Sequence, residues 1–185
     1  MAVRKIVRGD KNFFLRKLKC KPIYDLKRAG KIAQDLLDTL VASNGVGLSA
    51  IQINEHYRII VVKPDKEKAA QVMINPVIVE KSEELVDSDE ACFSVPYKYG
   101  KVKRHKEIKV QFLDLNNNNI TGMAYDIESF IIQHEIDHLD GILFTDKCEE
   151  IQDIREQSQG NPYAGSSLDS FIKEEDIQLD KAENK

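Results

Sequence analysis

The stretch QHEIDHLDG, Gln133 to Gly141, sets two histidines four positions apart with a carboxylate directly after the first. On a helix that spacing puts His134 and His138 on one face, so both imidazoles can reach one ion while Glu135 faces a water bound to it. The flanking sequence predicts the helix itself. Asp126 stands as N-cap and Gly141 as the stop, and Ile127, Phe130, Ile131, His134 and His138 fall on a single stripe. Because the histidines continue an apolar stripe, they are expected to point inward. A metal that lowers the pKa of bound water from about 16 to about 7 makes a carboxylate a sufficient base, so the chemistry indicated is attack by water on an acyl carbon.

A hydrolytic centre of this kind needs at least one further protein ligand. Gly141 fits the longer pattern HExxHxxGxxH, but Phe144 occupies the position of its third histidine. Glu149 and Glu150 follow in a polar, acidic run that reads as solvated surface, and their use would make the chain a zinc endopeptidase. Cys92, in EACFSVP, lies 42 residues before His134 and is another candidate. A single cysteine taken alone is more often a small buried hydrophobe than a ligand.

Outward from this segment, 185 residues are enough for one domain with a real core. The formal net charge of −4 is uneven, because residues 149 to 185 hold ten acidic and four basic side chains, which leaves +2 on the first 148. No footprint for DNA or other nucleic acid follows from that balance. No apolar run approaches the roughly 20 residues that span a bilayer, so no membrane association is expected. Cys20, Cys92 and Cys148 make an odd set without a secretory signal, which argues for a reducing compartment: the cytoplasm, or an organelle if the source is eukaryotic.

From Asp25 to Asn44, Leu26, Ala29, Ala33, Leu36, Leu37 and Leu40 recur at helical spacing, with Asp25 as cap and Asn44-Gly45 as stop. RIIVVK (58 to 63), VMINPVIV (72 to 79), IKVQFL (108 to 113) and ITGMAY (120 to 125) read as strands, and the turn-forming LNNNN (115 to 119) pairs the last two as a hairpin. Residues 1 to 150 are therefore expected to form the catalytic domain. Residues 151 to 185 read as an acidic, mobile tail with a weak apolar pattern at Leu168, Phe171 and Ile172.

GVGLSAIQ (45 to 52), EACFS (90 to 94) and QHEIDHLDG stand in the order and at the approximate separations of the three signature motifs of the peptide deformylases. The chain resembles that family from roughly residue 3 to residue 147. The resemblance implies an α+β fold in which small antiparallel or mixed sheets wrap a central HExxH helix, with an N-terminal helix and a C-terminal tail. It implies a metal held by Cys92, His134 and His138, with Fe²⁺ preferred and Zn²⁺, Ni²⁺ or Co²⁺ as substitutes. Glu135 would be the general base, and the side-chain amide of Gln52 and the backbone N–H of Phe93 the oxyanion donors.

The substrate so implied is a nascent or short peptide beginning with N-formylmethionine, from which formate is released. Gly45, Val46, Gly47 and Leu48 would approach the peptide, and Val46, Ile127 and Ile131 would border the methionine pocket, while Phe130 reads rather as core. Glu90 and Arg104 look like the family's ion pair that props the second motif. The chain departs from the usual EGCLS by carrying Ala91 and Phe93, from the usual Ala at Ser49, and from a frequent peptide-contacting Arg at Tyr99. Ala91 would strain the loop if that backbone needs a positive φ, and Phe93 would narrow the cleft. Some bacterial members dock on the ribosome through a basic C-terminal helix, which the acidic tail here does not provide. The alternatives are a peptide-binding paralogue without turnover and the zinc endopeptidase.

Overall fold

The computed structural model describes residues 2–9, 15, 18–65 and 67–153. Helix α1 (Leu26–Ala42) starts where expected, because the Asp25 carboxylate accepts from the Arg28 N–H. It ends as the chain turns left-handed at Asn44, φ 50°. Strands β1 (Gly47–Ser49), β2 (Ile59–Val62), β3 (Gln71–Lys81), β6 (Glu107–Leu113) and β7 (Asn119–Tyr125) form a five-stranded antiparallel sheet in the order β1-β2-β3-β6-β7. Strands β4 (Leu85–Cys92), β5 (Val95–His105) and β8 (Ile151–Asp153) form a second antiparallel sheet in the order β4-β5-β8. Helix α2 spans Asp126–Leu139. The architecture is α+β.

Strand β2 explains how the layers stack. Its four residues, IIVV, are all buried, as befits a strand covered on both faces. Ile59 and Val61 pack with Ala29, Ile32, Ala33, Leu36 and Leu40 of α1. Ile60 and Val62 pack on the other side, in the cluster that holds Ile132, Ile136 and Leu139 of α2. The two helices therefore lie on opposite faces of the sheet. Helix α2 also touches β5, so it stands between the two sheets.

Several expectations are corrected. Asp126 is the first residue of α2 and not its cap; Tyr125 holds the capping position without a side-chain bond, and Asp126 enters the helix with φ 46°. The buried stripe of α2 runs through Ser129, Ile132, Gln133, Glu135, Ile136, His138 and Leu139. Ile127, at 64% exposure, lies off it, and Phe130 and Ile131 are half-buried. The hairpin β4–β5 and the short β8, which pairs with β5 through Asp153, carry no strand signal in the sequence. The remainder of the tail, with Leu168, Phe171 and Ile172, lies outside the described residues.

Candidate metal centre

Cys92 ends β4 at an irregularity in the hairpin: Ala91 pairs with Tyr99, but Cys92 pairs with Val95. A register shift of this sort re-aims a side chain. Here the Cys92 thiol comes to α2, with Sγ 3.1 Å from His138 Nε2. One ligand atom from each of Cys92, His134 and His138 lies within 4.8 Å of the others, and among the described residues these three form such a group. Glu149 and Glu150 are not in it.

Each donor is prepared. His134 gives its Nδ1 to Glu90 Oε2 at 2.8 Å, which leaves Nε2 for the site. A carboxylate behind a ligating imidazole fixes both tautomer and ring orientation. Glu90 in turn accepts two bonds from Arg104, at 2.7 and 2.9 Å, and Arg104 reaches Asp137 at 2.5 Å. Lys147 closes the chain of charges on Asp137. Burial alone would raise the Glu90 carboxyl, but the bonds from Arg104 and His134 outweigh it and hold the group down to about 2. Burial, followed by the charge of His134, holds His138 well below its ordinary range, so it is neutral and able to ligate. Phe144, which replaces the third histidine of the longer motif, stacks on the His134 ring at 6.3 Å.

Glu135 is buried, and its Oε2 has no hydrogen-bond partner. Burial pushes its carboxyl up to about 7, although the charge of His134 and, after it, the Ser49 side chain pull it back in part. A carboxylate so placed is an acceptor in want of a proton. A thiolate, two imidazoles and this open acceptor fit a divalent ion with an activated water.

Gln52 lies in the 3-10 turn Ala50–Ile53 after β1, with Oε1 accepting from the Ser49 N–H at 2.9 Å and hydroxyl at 3.0 Å. Its Nε2 donates to Ser94 Oγ at 3.1 Å and points at Cys92 Sγ at 3.5 Å. Ser49, Ser94, Asp137 and Lys147 were not singled out as site residues from the sequence; only the departure at Ser49 marked one of them.

The departures in the second motif are settled differently than expected. Ala91 is not among the described residues with positive φ, so its methyl carries no left-handed strain. Phe93 packs toward the α1 cluster, and its ring lies where a methyl on Gly45 would be, 2.8 Å away. It closes on the glycine loop. Tyr99 is buried within β5. Leu48, fully buried, also packs in the α1 cluster, so only its backbone is available to a ligand. Val46 and Ile127 are exposed, and Ile131 lies half-buried against Gly47.

This assembly fits a metal-dependent hydrolase, with a buried carboxylate on the same helix as two of the three residues that could hold the ion. A family model described as polypeptide deformylase matches residues 3–153. A peptide deformylase of Buchnera aphidicola subsp. Cinara cedri is 42% identical over 148 residues, covering 79% of this chain and 98% of its own. The crystal structure of the peptide deformylase of Thermotoga maritima superposes with a TM-score of 0.76 at 26% identity, covering 81% of this chain and all of the other. A Met-Ala-Ser-bound class I type b peptide deformylase from Acinetobacter baumannii gives 0.74 at 32% identity, covering 79% and 98%. The chain belongs to the polypeptide deformylase family and is an enzyme, a hydrolase that removes a formyl group.

Proposed function

We propose that the chain removes formate from peptides that begin with N-formylmethionine, and that Cys92, His134, His138, Glu135 and Gln52 perform the reaction. The observation that carries this reading is the meeting of all five in one buried site, from three separate segments. A divalent ion held there by Cys92 Sγ, His134 Nε2 and His138 Nε2 supplies Lewis acidity and acidifies water; Fe²⁺ is the ion proposed, with Zn²⁺, Ni²⁺ and Co²⁺ as substitutes for the same donors.

Glu135 takes a proton from the attacking water and delivers it to the departing amine as the C–N bond breaks. Gln52 Nε2 donates to the formyl oxygen, and the backbone N–H of Phe93, next to the ligand Cys92, is the second donor. The long approach of Nε2 to Cys92 Sγ places the amide beside the donor set, where that oxygen must lie. A formyl carbon bears only hydrogen, so a crowded buried site admits it and excludes larger acyl groups.

Strand β1 is the edge of its sheet, and an extended peptide can add to such an edge through main-chain bonds. Gly45, Gly47 and the Leu48 backbone then lie along the peptide, while Val46, Ile127 and Ile131 border the methionine side chain. The Met-Ala-Ser peptide bound to the Acinetobacter relative supports this substrate class. Nascent chains on the ribosome are the natural source of such peptides. A thiolate ligand and three free cysteines support a reducing compartment, the cytoplasm or an organelle. Among the described residues no helix is long and apolar enough to cross a membrane.

The test is formate release from formyl-Met-Ala-Ser by anaerobically prepared Fe²⁺ protein, beside its Glu135→Ala variant. Release by the first alone is expected. Equal, background release from both would instead favour a binding paralogue.

A further inference from the structure

We propose that Ser49 is a positioning residue that holds the Gln52 amide in its reactive orientation; the inference rests on the deformylase reading of the site. Ser49 ends β1 and is fully buried, and a buried hydroxyl must find partners. Both its main-chain N–H and its hydroxyl meet the same atom of Gln52, at 2.9 and 3.0 Å. A main-chain N–H can only donate, so the atom it meets is the amide oxygen and the amide cannot be flipped. Nε2 is thereby turned toward Cys92 and Ser94.

A flipped Gln52 would present an oxygen to the developing oxyanion and its NH₂ to two donors. The Ser49 hydroxyl adds a second lock to the one that the main chain provides at any residue. Alanine, usual in the family at this position, leaves the main-chain lock alone. It also makes Ser49→Ala a substitution the fold accommodates.

The experiment compares wild type, Ser49→Ala, Gln52→Ala and the double variant. For each, kcat and KM are measured on formyl-Met-Ala-Ser with the Fe²⁺ protein. Hydrogen exchange of the Gln52 side-chain amide is followed by ¹⁵N NMR in wild type and Ser49→Ala, both loaded with diamagnetic Zn²⁺. Ser49→Ala is expected to lower kcat roughly tenfold with KM within about twofold, and to speed the amide exchange by roughly tenfold. In the Gln52→Ala background the loss should shrink to about twofold or less, since the two residues act as one unit.

Unchanged amide exchange overturns the proposal, and so does a full tenfold loss that persists without Gln52. If wild type releases no formate, the deformylase reading falls, while the amide exchange still decides whether Ser49 holds Gln52.

Discussion

A methyl group built on Gly47 would lie 2.7 Å from Glu135 Oε1 and 2.7 Å from Ile131 Cγ2. The edge strand and the helix touch there, backbone against carboxylate, with no space for a side chain. Gly47→Ala must therefore displace the base. The expected result is a fall in kcat of at least about a hundredfold, the scale of losing a general base. The accompanying stability loss should stay near the ~1–3 kcal/mol of an overpacked site. Formate assays and denaturant titration of the same protein separate the two; full activity in this variant would show that the carboxylate does not need its observed place.

Arg104 neutralises Glu90 and Asp137 in a setting where it is itself 1% exposed. Arg104→Met strips the buried Glu90 of its guanidinium partner and leaves only the His134 ring bonded to it, and breaking such a buried pair typically costs about 3–5 kcal/mol. It also frees the group that orients His134, so metal affinity should drop by roughly ten- to a hundredfold. Urea unfolding and competition with a chelator measure the two effects.

Glu90 gives the stability a pH signature. Its carboxyl is held down to about 2 in the fold against an ordinary 4.5. A depressed carboxyl contributes stability that is present above the unfolded value and is lost as pH falls through the folded one. The advantage of wild type over Glu90→Gln should therefore be full above about pH 5 and shrink steadily from there toward pH 2. Unfolding free energies of both proteins at pH 6, 4 and 3 check the sign; an advantage that grew on acidification would contradict it.

The cysteines should divide by role. Cys92→Ala removes one of three donors and is expected to abolish both tight metal binding and formate release. Cys20, pushed up to about 12 by burial and packed in the core, should be dispensable: Cys20→Ala keeps its metal and its activity. Metal analysis of the purified variants decides, and full metal content without Cys92 would move the third ligand elsewhere.

The sequence made four of the five strands of the larger sheet and both helices legible because β-branched runs and helical spacing are local signals, whereas the three-residue β1 was too short to show. It did not reveal β4–β5, whose LVDSDEAC and VPYKYGKVKRH are charged and carry Pro and Gly. That hairpin is laced across its exposed face by Asp87–Lys103 and Asp89–Lys101, partners visible only once the strands are paired. The cluster of Cys92, His134 and His138 was readable from spacing and family resemblance. The inward face of α2 was not, because Ser129 and Gln133 are buried polar residues satisfied by the His105 backbone, which lies far away in sequence. The packing of the Phe93 side chain on the α1 cluster was hidden for the same reason, since its neighbours come from other elements.

Strand β2 has one more implication, for how such an enzyme can change. Ile59 and Val61 serve the α1 layer, whereas Ile60 and Val62 serve the layer that carries the ligands, so neighbouring positions on one strand belong to different concerns. Variation at the first pair reaches the chemistry only through Leu48 and Phe93, which pack in the same layer. Variation at the second pair reaches the helix of His134 and His138 directly. An engineer seeking heat tolerance should start on the α1 side and leave Leu48 and Phe93 as they are.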